Sequence, residues 1–333
     1  MKALVTGATG FVGSHLVQRL VAEGAEVIAL ARASSDLRWI GELPIEIRRV
    51  NMSDVDAMAE IVRPVDIVFH VAGLTRGRTL EEYLAVNAEG TARLLDAVRQ
   101  SGAALRRFVY VSSLAAAGPN PTTAPLRETD APHPMGGYGQ SKLAAEGLCL
   151  AAAAAEKDLP VTIVRPPAVY GPRDANFLGL FGAGQRLGIV PVTGSPAKET
   201  SFVHVEDLAD GLFRAAVSPK ALGQTYYIGS GTHTMREVVE AMSAALGRRL
   251  RRLRVPGIIA RLMGEIGELT WTLTGRPQIM SHRKIRDLLQ PRWTCAWDKA
   301  VDELGYRPRV TLTDGMRQTA QWYARQGWIA PLE

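Results

Sequence analysis

The sequence has 333 residues, a net charge of +6 and 47% hydrophobic residues, enough to bury one large core or two unequal lobes. Its two cysteines, Cys149 and Cys295, exclude a disulfide framework, and its six scattered histidines show no metal-site spacing. No apolar run approaches the ~20 residues that span a bilayer, and we expect a cytoplasmic protein without a bound metal. The positive charge suits an anionic cofactor or substrate or an acidic surface. The sequence shows no nucleic-acid-binding pattern.

Strands and helices alternate regularly in the first half of the chain. Short β-branched runs predict strands at residues 2–6, 26–31, 45–50, 66–72, 107–112 and 161–164. Helices are predicted between them, near residues 11–23, 54–62, 80–101 and 138–157. Parallel strands need such crossovers, which are almost always right-handed. The pattern therefore predicts an α/β protein with a doubly wound, parallel Rossmann sheet.

The texture of the sequence changes after Arg165, where glycine, proline and aromatic residues become denser. Helices are predicted here near residues 206–217, 235–246, 255–273 and 312–326. We expect residues 1–165 to form the nucleotide-binding Rossmann domain and residues 166–333 to form mainly a smaller α+β substrate lobe. The lobe should cover the carboxyl edge of the sheet, where such folds bind ligands. The chain should also cross back to the first domain, for example at 200–228.

A glycine-rich segment, Gly7-Ala8-Thr9-Gly10-Phe11-Val12-Gly13, follows the first strand and opens the first helix. That context distinguishes it from an ordinary glycine-rich turn. The glycines permit a tight turn and let the backbone approach a pyrophosphate, which then sits at the helix N-terminus. The residues expected to bind a dinucleotide here are Gly7, Thr9, Gly10, Phe11, Val12 and Gly13.

The end of the second strand, Val27-Ile28-Ala29-Leu30-Ala31-Arg32, bears on which nicotinamide cofactor binds. NAD-selective sites usually carry an acid here, which accepts a hydrogen bond from the ribose 2′-hydroxyl. Ala31 occupies that position, and Arg32 after it can pair with a 2′-phosphate. Ser34, Ser35 and Arg38 could add contacts. The sequence favours NADP(H), with NAD(H) as the alternative in which Arg32 stacks over adenine or faces water.

Tyr138 and Lys142 lie four residues apart, so on a helix both side chains project from one face. A phenol is normally protonated at pH 7, and a nearby ammonium favours the phenolate, which lets the pair exchange a proton. Tyr-x-x-x-Lys alone is a weak signal. Together with the glycine loop and Val111-Ser112-Ser113, which ends a predicted strand upstream, it predicts an enzyme.

These residues resemble the extended short-chain dehydrogenase/reductase family, also called the epimerase/dehydratase superfamily. The resemblance covers nearly the whole chain. Its motifs occur in the expected order at residues 6–13, 70–73, 86–91, 111–113, 138–142, 165–172 and 202–207. The resemblance implies an NAD(P)-dependent enzyme acting on a small molecule. It also implies a homodimer, paired through helices that include 80–101 and 138–157.

The resemblance assigns catalytic roles to three residues. Tyr138 is the proton donor or acceptor, and Lys142 lowers the pKa of Tyr138 while holding the nicotinamide ribose. Ser113 hydrogen-bonds the substrate oxygen. Ser112 is its rival, but Ser113 lies five residues before Gly118, as in the family pattern.

The resemblance also implies a cofactor groove. Its remaining lining residues are Val71, Ala72, Gly73, Asn87 and Val111, with Asn51 and Met52 near adenine and Pro166 near the carboxamide. An aspartate is commoner in the family than Asn51. His70, His204 and Asp207 are expected to have structural roles.

Three positions depart from the pattern of family members that bind sugar nucleotides. Ala168 replaces an asparagine of the Arg165 motif, and Ala117 replaces a tyrosine before Gly118. Thr200 replaces an arginine that binds the diphosphate in those family members. Loss of this charge-assisted contact would weaken binding by about 1.5–3 kcal/mol. Lys198 could substitute as a less directional charge. The same positions resemble the branch with 3β-hydroxysteroid dehydrogenases and dihydroflavonol reductases, whose substrates are apolar or aromatic carbonyl compounds.

Residues 248–254 carry five arginines and precede an apolar helical pattern. That pattern consists of Ile258, Ile259, Leu262, Ile266, Leu269 and Leu273, flanked by Met263 and Trp271. One interpretation is core packing of the small lobe beside a solvated basic strand. The other is a wall of a hydrophobic substrate pocket, opposite residues 177–187, with the arginines facing an anionic carrier or an acidic membrane surface.

We conclude from the sequence that the protein is an NADP(H)-dependent oxidoreductase. It should reduce a ketone or aldehyde on a largely hydrophobic, steroid-, flavonoid- or lipid-like substrate. One alternative is a nucleotide-sugar epimerase or dehydratase with tightly bound NAD. An alternative of another class is a non-catalytic, cofactor-sensing binding protein, which the intact Ser113, Tyr138 and Lys142 set argues against.

Overall fold

A computed structural model of the chain describes residues 1–155, 159–193, 198–274 and 289–332. Its strands are β1 (Lys2–Thr6), β2 (Glu26–Ala31), β3 (Glu46–Arg49), β4 (Ile67–His70), β5 (Arg107–Val111), β6 (Val161–Arg165), β7 (Ala168–Tyr170), β8 (Ile189–Thr193), β9 (Glu199–His204), β10 (Thr225–Tyr227), β11 (Gly231–Thr234), β12 (Arg251–Val255) and β13 (Arg292–Trp293).

The helices follow the sequence pattern closely. They are α1 (Phe11–Ala22), α2 (Val55–Val62), α3 (Leu80–Tyr83), α4 (Glu89–Ser101), α5 (Leu114–Ala117), α6 (Gly137–Ala155), α7 (Leu178–Leu187), α8 (Val205–Val217), α9 (Met235–Ala245), α10 (Gly257–Thr274), α11 (Asp298–Leu304) and α12 (Leu312–Arg325). A π-helical turn at Leu84–Ala88 joins α3 to α4, and a 3₁₀ turn covers Pro219–Ala221.

The main sheet of the described chain has seven parallel strands in the order β3-β2-β1-β4-β5-β6-β10. The order reverses at β1, where the chain moves first towards β3 and then back to β4. Leu4 at this point pairs with Ile28 on one side and Val68 on the other. The doubly wound Rossmann fold predicted from the sequence is confirmed.

Helices cover both faces of this sheet, and each face has its own apolar core. Ala3 and Val5 of β1 pack with Leu16 of α1 and Leu212 of α8. Leu4, which points the other way because side chains alternate along a strand, packs in the core that contains helices α2, α4 and α6. Burial on both faces explains why these strands are continuously hydrophobic in sequence.

The second half of the chain contributes to both parts of the fold. β10 joins the edge of the main sheet beside β6, and α8 packs on α1. A second sheet has four strands, in which β9 pairs with β7, β11 and β13. Its first strand in chain order, β7, follows β6 of the main sheet. Its core includes Tyr170, Phe181, Met242, Met316 and Tyr323 on helices α7, α9 and α12 and strand β7.

The helix predicted at 255–273 is present as α10, but four of the apolar residues in its pattern are exposed. Ile258 is 81% exposed, and Ile259, Leu262 and Ile266 are also more than half exposed. Core packing is therefore the wrong interpretation for these four residues. A helical period of apolar residues predicts that the helix has an apolar face, but it does not predict whether another part of the chain packs against that face. The side chains of Met263, Leu269, Trp271 and Leu273 lie outside the described residues.

Candidate active site

The cluster of polar side chains at the carboxyl ends of β4 and β5 is assembled by a loop that folds back. Gly118 ends the short helix α5 with a φ of 94°, a conformation that favours glycine. The backbone N–H of His133 then donates to Ala117 O at 2.8 Å, which brings the end of the loop back to the end of α5. This closure places the N-terminal turn of α6, with Tyr138, beside Ser113, although 25 residues separate them in sequence.

The structure distinguishes the two serines at the end of β5. Ser112 is 3% exposed and its hydroxyl donates to a carboxylate oxygen of buried Glu146. Ser113 caps α5 by accepting a hydrogen bond from Ala115 N–H at 3.1 Å, and its hydroxyl is close enough to Tyr138 to act on the pKa of the phenol. Only Ser113 therefore lies where it can share a substrate oxygen with the tyrosine.

The phenol of Tyr138 is held in its protonated form. Burial raises the pKa of Tyr138 to about 12, although its hydrogen bond with Ser113 acts in the opposite direction. Its ring lies 6.0 Å from the ring of Tyr83, which also contributes to the rise. The lowering of this pKa by Lys142 that the family resemblance implies stays a prediction, since the side chains that shift the pKa of the phenol here are Ser113 and Tyr83. A protonated phenol is a proton donor.

Lys142 lies one helical turn after Tyr138 and is only 4% exposed. Its ammonium donates to the carbonyl of Val111 at 2.8 Å and lies 4.9 Å from the centre of the Tyr110 ring. Burial lowers the pKa of Lys142 to about 8, although the Glu146 carboxylate opposes the change. The lysine is therefore charged at pH 7 and close to its titration range.

A buried ion pair beneath the cluster was not recognised from the sequence. Glu146, one turn after Lys142 on α6, accepts two hydrogen bonds from Arg165 at 2.9 and 2.5 Å. Together with Ser112 this pair connects α6, β5 and β6. The signal available in the sequence was the i, i+4 spacing of Lys142 and Glu146, which places both on one helix face.

The single helix predicted at 80–101 is interrupted by a π-helical turn that contains Asn87. The Asn87 amide donates to Leu74 O at 3.0 Å and to Ser141 Oγ at 2.8 Å, and its oxygen accepts from Leu74 N–H. Thr91 Oγ1 donates to the carbonyl of Asn87 at 2.6 Å. Such turns are frequent at functional sites. Here the side chain ties the loop after β4 to α6, the helix that carries Tyr138 and Lys142.

The glycine-rich loop between β1 and α1 is shaped for close backbone approach. A Cβ at Gly13 would lie 2.1 Å from Gly7 O, and a Cβ at Gly7 would lie 2.7 Å from Ala72 N. Gly10 precedes α1 and supplies no side-chain cap, so the first N–H groups of the helix remain available to an anion. The remaining predicted loop residues Thr9, Phe11 and Val12 are partly exposed beside it. The loop fits a dinucleotide pyrophosphate.

The rest of the predicted groove runs along the same sheet edge. Gly73 lies against both Asn87 and Lys142, since a Cβ there would be 3.2 Å from Asn87 Oδ1 and from Lys142 Nζ. Ala72 N–H donates to Thr6 Oγ1, which fixes Val71 and Ala72 beside the loop. Pro166 accepts a hydrogen bond from Leu114 N–H through its carbonyl.

The far end of the groove lies beyond β2 and β3. Arg32 is exposed directly after β2, and its N–H donates to Ser35 Oγ at 2.9 Å. Arg49, which the sequence analysis missed, donates to the carbonyls of Arg32 and Ala33 at 3.0 and 2.7 Å. Asn51 and Met52 follow β3 at the same edge, and Asn51 Oδ1 accepts from Ser53 N–H. The side chain of Arg49 therefore lies against the backbone of the segment that follows β2.

Three polar residues of the family motifs lie outside the groove. His70 is 1% exposed and bonds Thr6 Oγ1 and Thr91 Oγ1 through its two ring nitrogens, and burial lowers its pKa to about 3. Asp207 accepts from the N–H groups of Arg309 and Val310. The ring nitrogens of His204 are buried and have no hydrogen-bond partner among the described residues.

The fold and the ordered motifs match a known family. The model of the NAD dependent epimerase/dehydratase family matches residues 3–229. The chain belongs to this family. As a member of the epimerase/dehydratase family, it is an NAD(P)-dependent enzyme of the extended short-chain dehydrogenase/reductase type.

Relatives of this chain have different activities. It is 31% identical over 326 residues to a ceramide reductase of Caulobacter vibrioides (strain NA1000 / CB15N), covering 98% of this chain and 95% of the relative. It is 28% identical over 334 residues to a UDP-glucose 4-epimerase of Vibrio cholerae, covering 96% and 94%. The solved structure of MoeE5 in complex with UDP-glucuronic acid and NAD superimposes with a TM-score of 0.78 at 27% identity, covering 98% of this chain and all of that chain. The family therefore fixes the enzyme class but not the substrate.

Within the described residues, no helix combines the length and the hydropathy that are needed to cross a membrane.

Proposed function

We propose that this enzyme reduces a ketone or aldehyde on a largely hydrophobic substrate with NADPH. The observation that carries the proposal is the Ser113–Tyr138 pair, in which burial raises the pKa of the phenol to about 12. A phenol that stays protonated at neutral pH is suited to give a proton to a carbonyl oxygen. A nicotinamide bound in the groove would supply the hydride.

The chain's own residues divide the remaining work. Ser113 and Tyr138 would both donate hydrogen bonds to the substrate oxygen and orient it. As the oxygen gains negative charge, the proton of Tyr138 moves to it, and the phenolate left behind is stabilised by the ammonium of Lys142. Val111 O and Asn87 keep Lys142 and α6 in place through the hydrogen bonds described above.

The preference for NADPH rests on charge at the adenosine end of the groove. Arg32 and Arg49 are exposed, the guanidinium of Arg49 donates to the backbone carbonyl of Arg32, and Ala31 offers no carboxylate to a 2′-hydroxyl. A 2′-phosphate there would meet two guanidinium groups. Arg49 of β3 adds a second positive charge beside the segment that carries Arg32.

The substrate class rests on three uncharged positions. Ala168 lies on β7, Thr200 on β9 and Ala117 on α5, where the sugar-nucleotide pattern has asparagine, arginine and tyrosine. Lys198, which could substitute for the missing arginine at Thr200, is only 6% exposed. A diphosphate would lack its directional clamp, whereas an apolar carbonyl compound would not need one. The similarity to a ceramide reductase agrees with this choice.

Fluorescence titration of the purified protein with NADPH and NADH tests the cofactor assignment. We expect NADPH to bind at least tenfold more tightly, and Arg32→Ala and Arg49→Ala each to weaken NADPH but not NADH. Arg48→Ala is the matched control, since the exposed Arg48 of β3 pairs with Glu46. NADPH oxidation with long-chain and aromatic ketones then tests the reaction.

A nucleotide-sugar epimerase is the competing function, supported by the similarity to a UDP-glucose 4-epimerase. Co-purified NAD that resists removal, interconversion of UDP-sugars, and no NADPH consumption with any ketone would together replace our proposal with this one.

A further inference from the structure

A surface on the second lobe combines apolar and basic residues that the active site does not use. We define the basic apolar surface as strand β12 together with Ile258, Ile259, Leu262 and Ile266 of α10. β12 pairs with β8 on one edge, and no described residue pairs with its other edge. The helix α10 follows β12 after Pro256. The two elements are therefore neighbours at the periphery of the fold.

The apolar part of this surface is exposed to an unusual degree. Ile258 is 81%, Leu262 60%, Ile266 55% and Ile259 51% exposed, and Leu253 of β12 is 50% exposed. The four helical residues are spaced i, i+1, i+4 and i+8 and so form one stripe along α10. A contiguous exposed stripe of large aliphatic side chains usually marks an interaction site.

The basic part of the surface, Arg251, Arg252 and Arg254 of β12, lies in a stretch of the chain that holds its excess of positive charge. Residues 241–264 contain six arginines and no Asp or Glu, whereas the chain has 39 Lys and Arg against 33 Asp and Glu. This stretch therefore accounts for the entire net charge of +6, and the rest of the chain is neutral overall. Arg249, Arg251, Arg252 and Arg254 are exposed and form no ion pair within the described part of the chain.

We propose that the basic apolar surface docks the enzyme on the face of an anionic lipid bilayer. An amphipathic helix binds at the interface by burying its apolar face among the acyl chains, and adjacent arginines bind anionic headgroups. Both halves of the surface then have a partner. A second copy of the chain suits it less well, because a symmetric contact would bring two arginine clusters together. A nucleic acid would pair with the arginines but leave the aliphatic stripe exposed.

The docking is independent of the reaction proposed above, because it needs neither cofactor nor substrate. Co-sedimentation of the full chain with vesicles tests it. We expect binding to vesicles of phosphatidylcholine mixed with phosphatidylglycerol, weak binding to phosphatidylcholine alone, and release as NaCl is raised. No binding to the mixed vesicles would overturn the proposal.

Paired variants separate the two halves of the surface. Ile258→Gln with Leu262→Gln, and Arg251→Gln with Arg254→Gln, should each reduce vesicle partitioning about tenfold or more. The matched controls are Val217→Gln with Leu222→Gln, which are 47% and 56% exposed elsewhere, and Arg236→Gln with Arg325→Gln. The controls should bind vesicles as the unmodified protein does. Circular dichroism and thermal unfolding establish that every variant folds.

Two results would contradict the proposal. If the apolar pair bound mixed vesicles normally and only the arginine pair failed, the surface would be a general polyanion site without insertion. If the apolar pair changed the sedimentation coefficient of the protein in lipid-free buffer but left vesicle binding intact, the stripe would be a contact between copies.

Discussion

Glu146 and Arg165 form a buried, doubly hydrogen-bonded ion pair directly beneath the catalytic cluster, with N–O distances of 2.9 and 2.5 Å. Their side chains are 3% and 8% exposed. The pair joins α6, which carries Tyr138 and Lys142, to β6, and Ser112 adds β5 to the same carboxylate. The position of α6, and with it that of Tyr138 and Lys142, therefore depends on a buried charge pair.

Removing one partner of this pair should be costly. Glu146→Gln leaves the buried guanidinium of Arg165 without its counter-charge, and we expect a loss of about 3–5 kcal/mol in the free energy of unfolding. Urea unfolding measures it. The matched control is Glu60→Gln, whose exposed pair with Arg63 should contribute about 0–1 kcal/mol. Equal losses for the two variants would show that the buried pair has no special structural role.

Loss of the proton donor should separate binding from chemistry. Tyr138→Phe removes the hydroxyl that pairs with Ser113, and we expect kcat to fall by roughly 10²–10⁴ with little change in NADPH affinity. Steady-state kinetics and cofactor titration give the two values. Tyr83→Phe, which alters the neighbouring ring 6.0 Å away, is the control and should retain most of the activity. Near-normal turnover by Tyr138→Phe would rule out the assigned role.

The rate of reduction should depend on the charge of Lys142. Burial lowers the pKa of Lys142 to about 8, so the ammonium that stabilises the tyrosine phenolate is lost as pH rises through that value. We expect kcat for reduction to decline above about pH 8. Lys142→Arg should be slower at pH 7 but should lack this alkaline decline, because guanidinium stays protonated. An unchanged decline in Lys142→Arg would assign it to another group.

Buried histidines should make the fold sensitive to acid. Burial lowers the pKa of His15 and His70 to about 3 and that of His204 to about 4, against an ordinary value of 6.5. At pH values between the lowered pKa and 6.5, these histidines are protonated in the unfolded chain but not in the folded chain. The free energy of unfolding therefore falls as pH drops below about 6.5. At pH 5 each histidine should cost roughly 2 kcal/mol.

Urea unfolding at pH 7.5 and pH 5 measures this loss. His15→Gln removes one titrating group and should reduce the difference between the two pH values by roughly a third. A pH difference that is unchanged in His15→Gln would mean that this histidine does not contribute.

The cofactor loop should not tolerate a single methyl group. Gly13→Ala places a Cβ against Gly7 O, at 2.1 Å in the present backbone, so the turn must open and cofactor affinity should fall at least tenfold. Gly182→Ala in α7 is the control, because nothing lies within 4 Å of its added Cβ. That variant should bind cofactor normally and gain up to about 1 kcal/mol of stability. Titration and urea unfolding compare the two.

The sequence by itself determined the elements that depend on local pattern. Alternating strand and helix periods predicted the doubly wound sheet, the strand–glycine–helix order predicted the cofactor loop, and the i, i+4 spacing placed Tyr138 and Lys142 on one helix face. These signals are readable because backbone geometry converts short spacings directly into shared faces.

Only the tertiary structure decided which side chains meet across the fold. It separated Ser113 from Ser112, brought Glu146 to Arg165, and placed Arg49 of β3 against the backbone of Arg32, which follows β2. It also showed that burial keeps the Tyr138 phenol protonated and that the apolar stripe of α10 is exposed. The sequence pattern specifies the type of each side chain and the face of the helix or strand on which it lies. Its partner, its exposure and its pKa depend on what the rest of the chain brings against it.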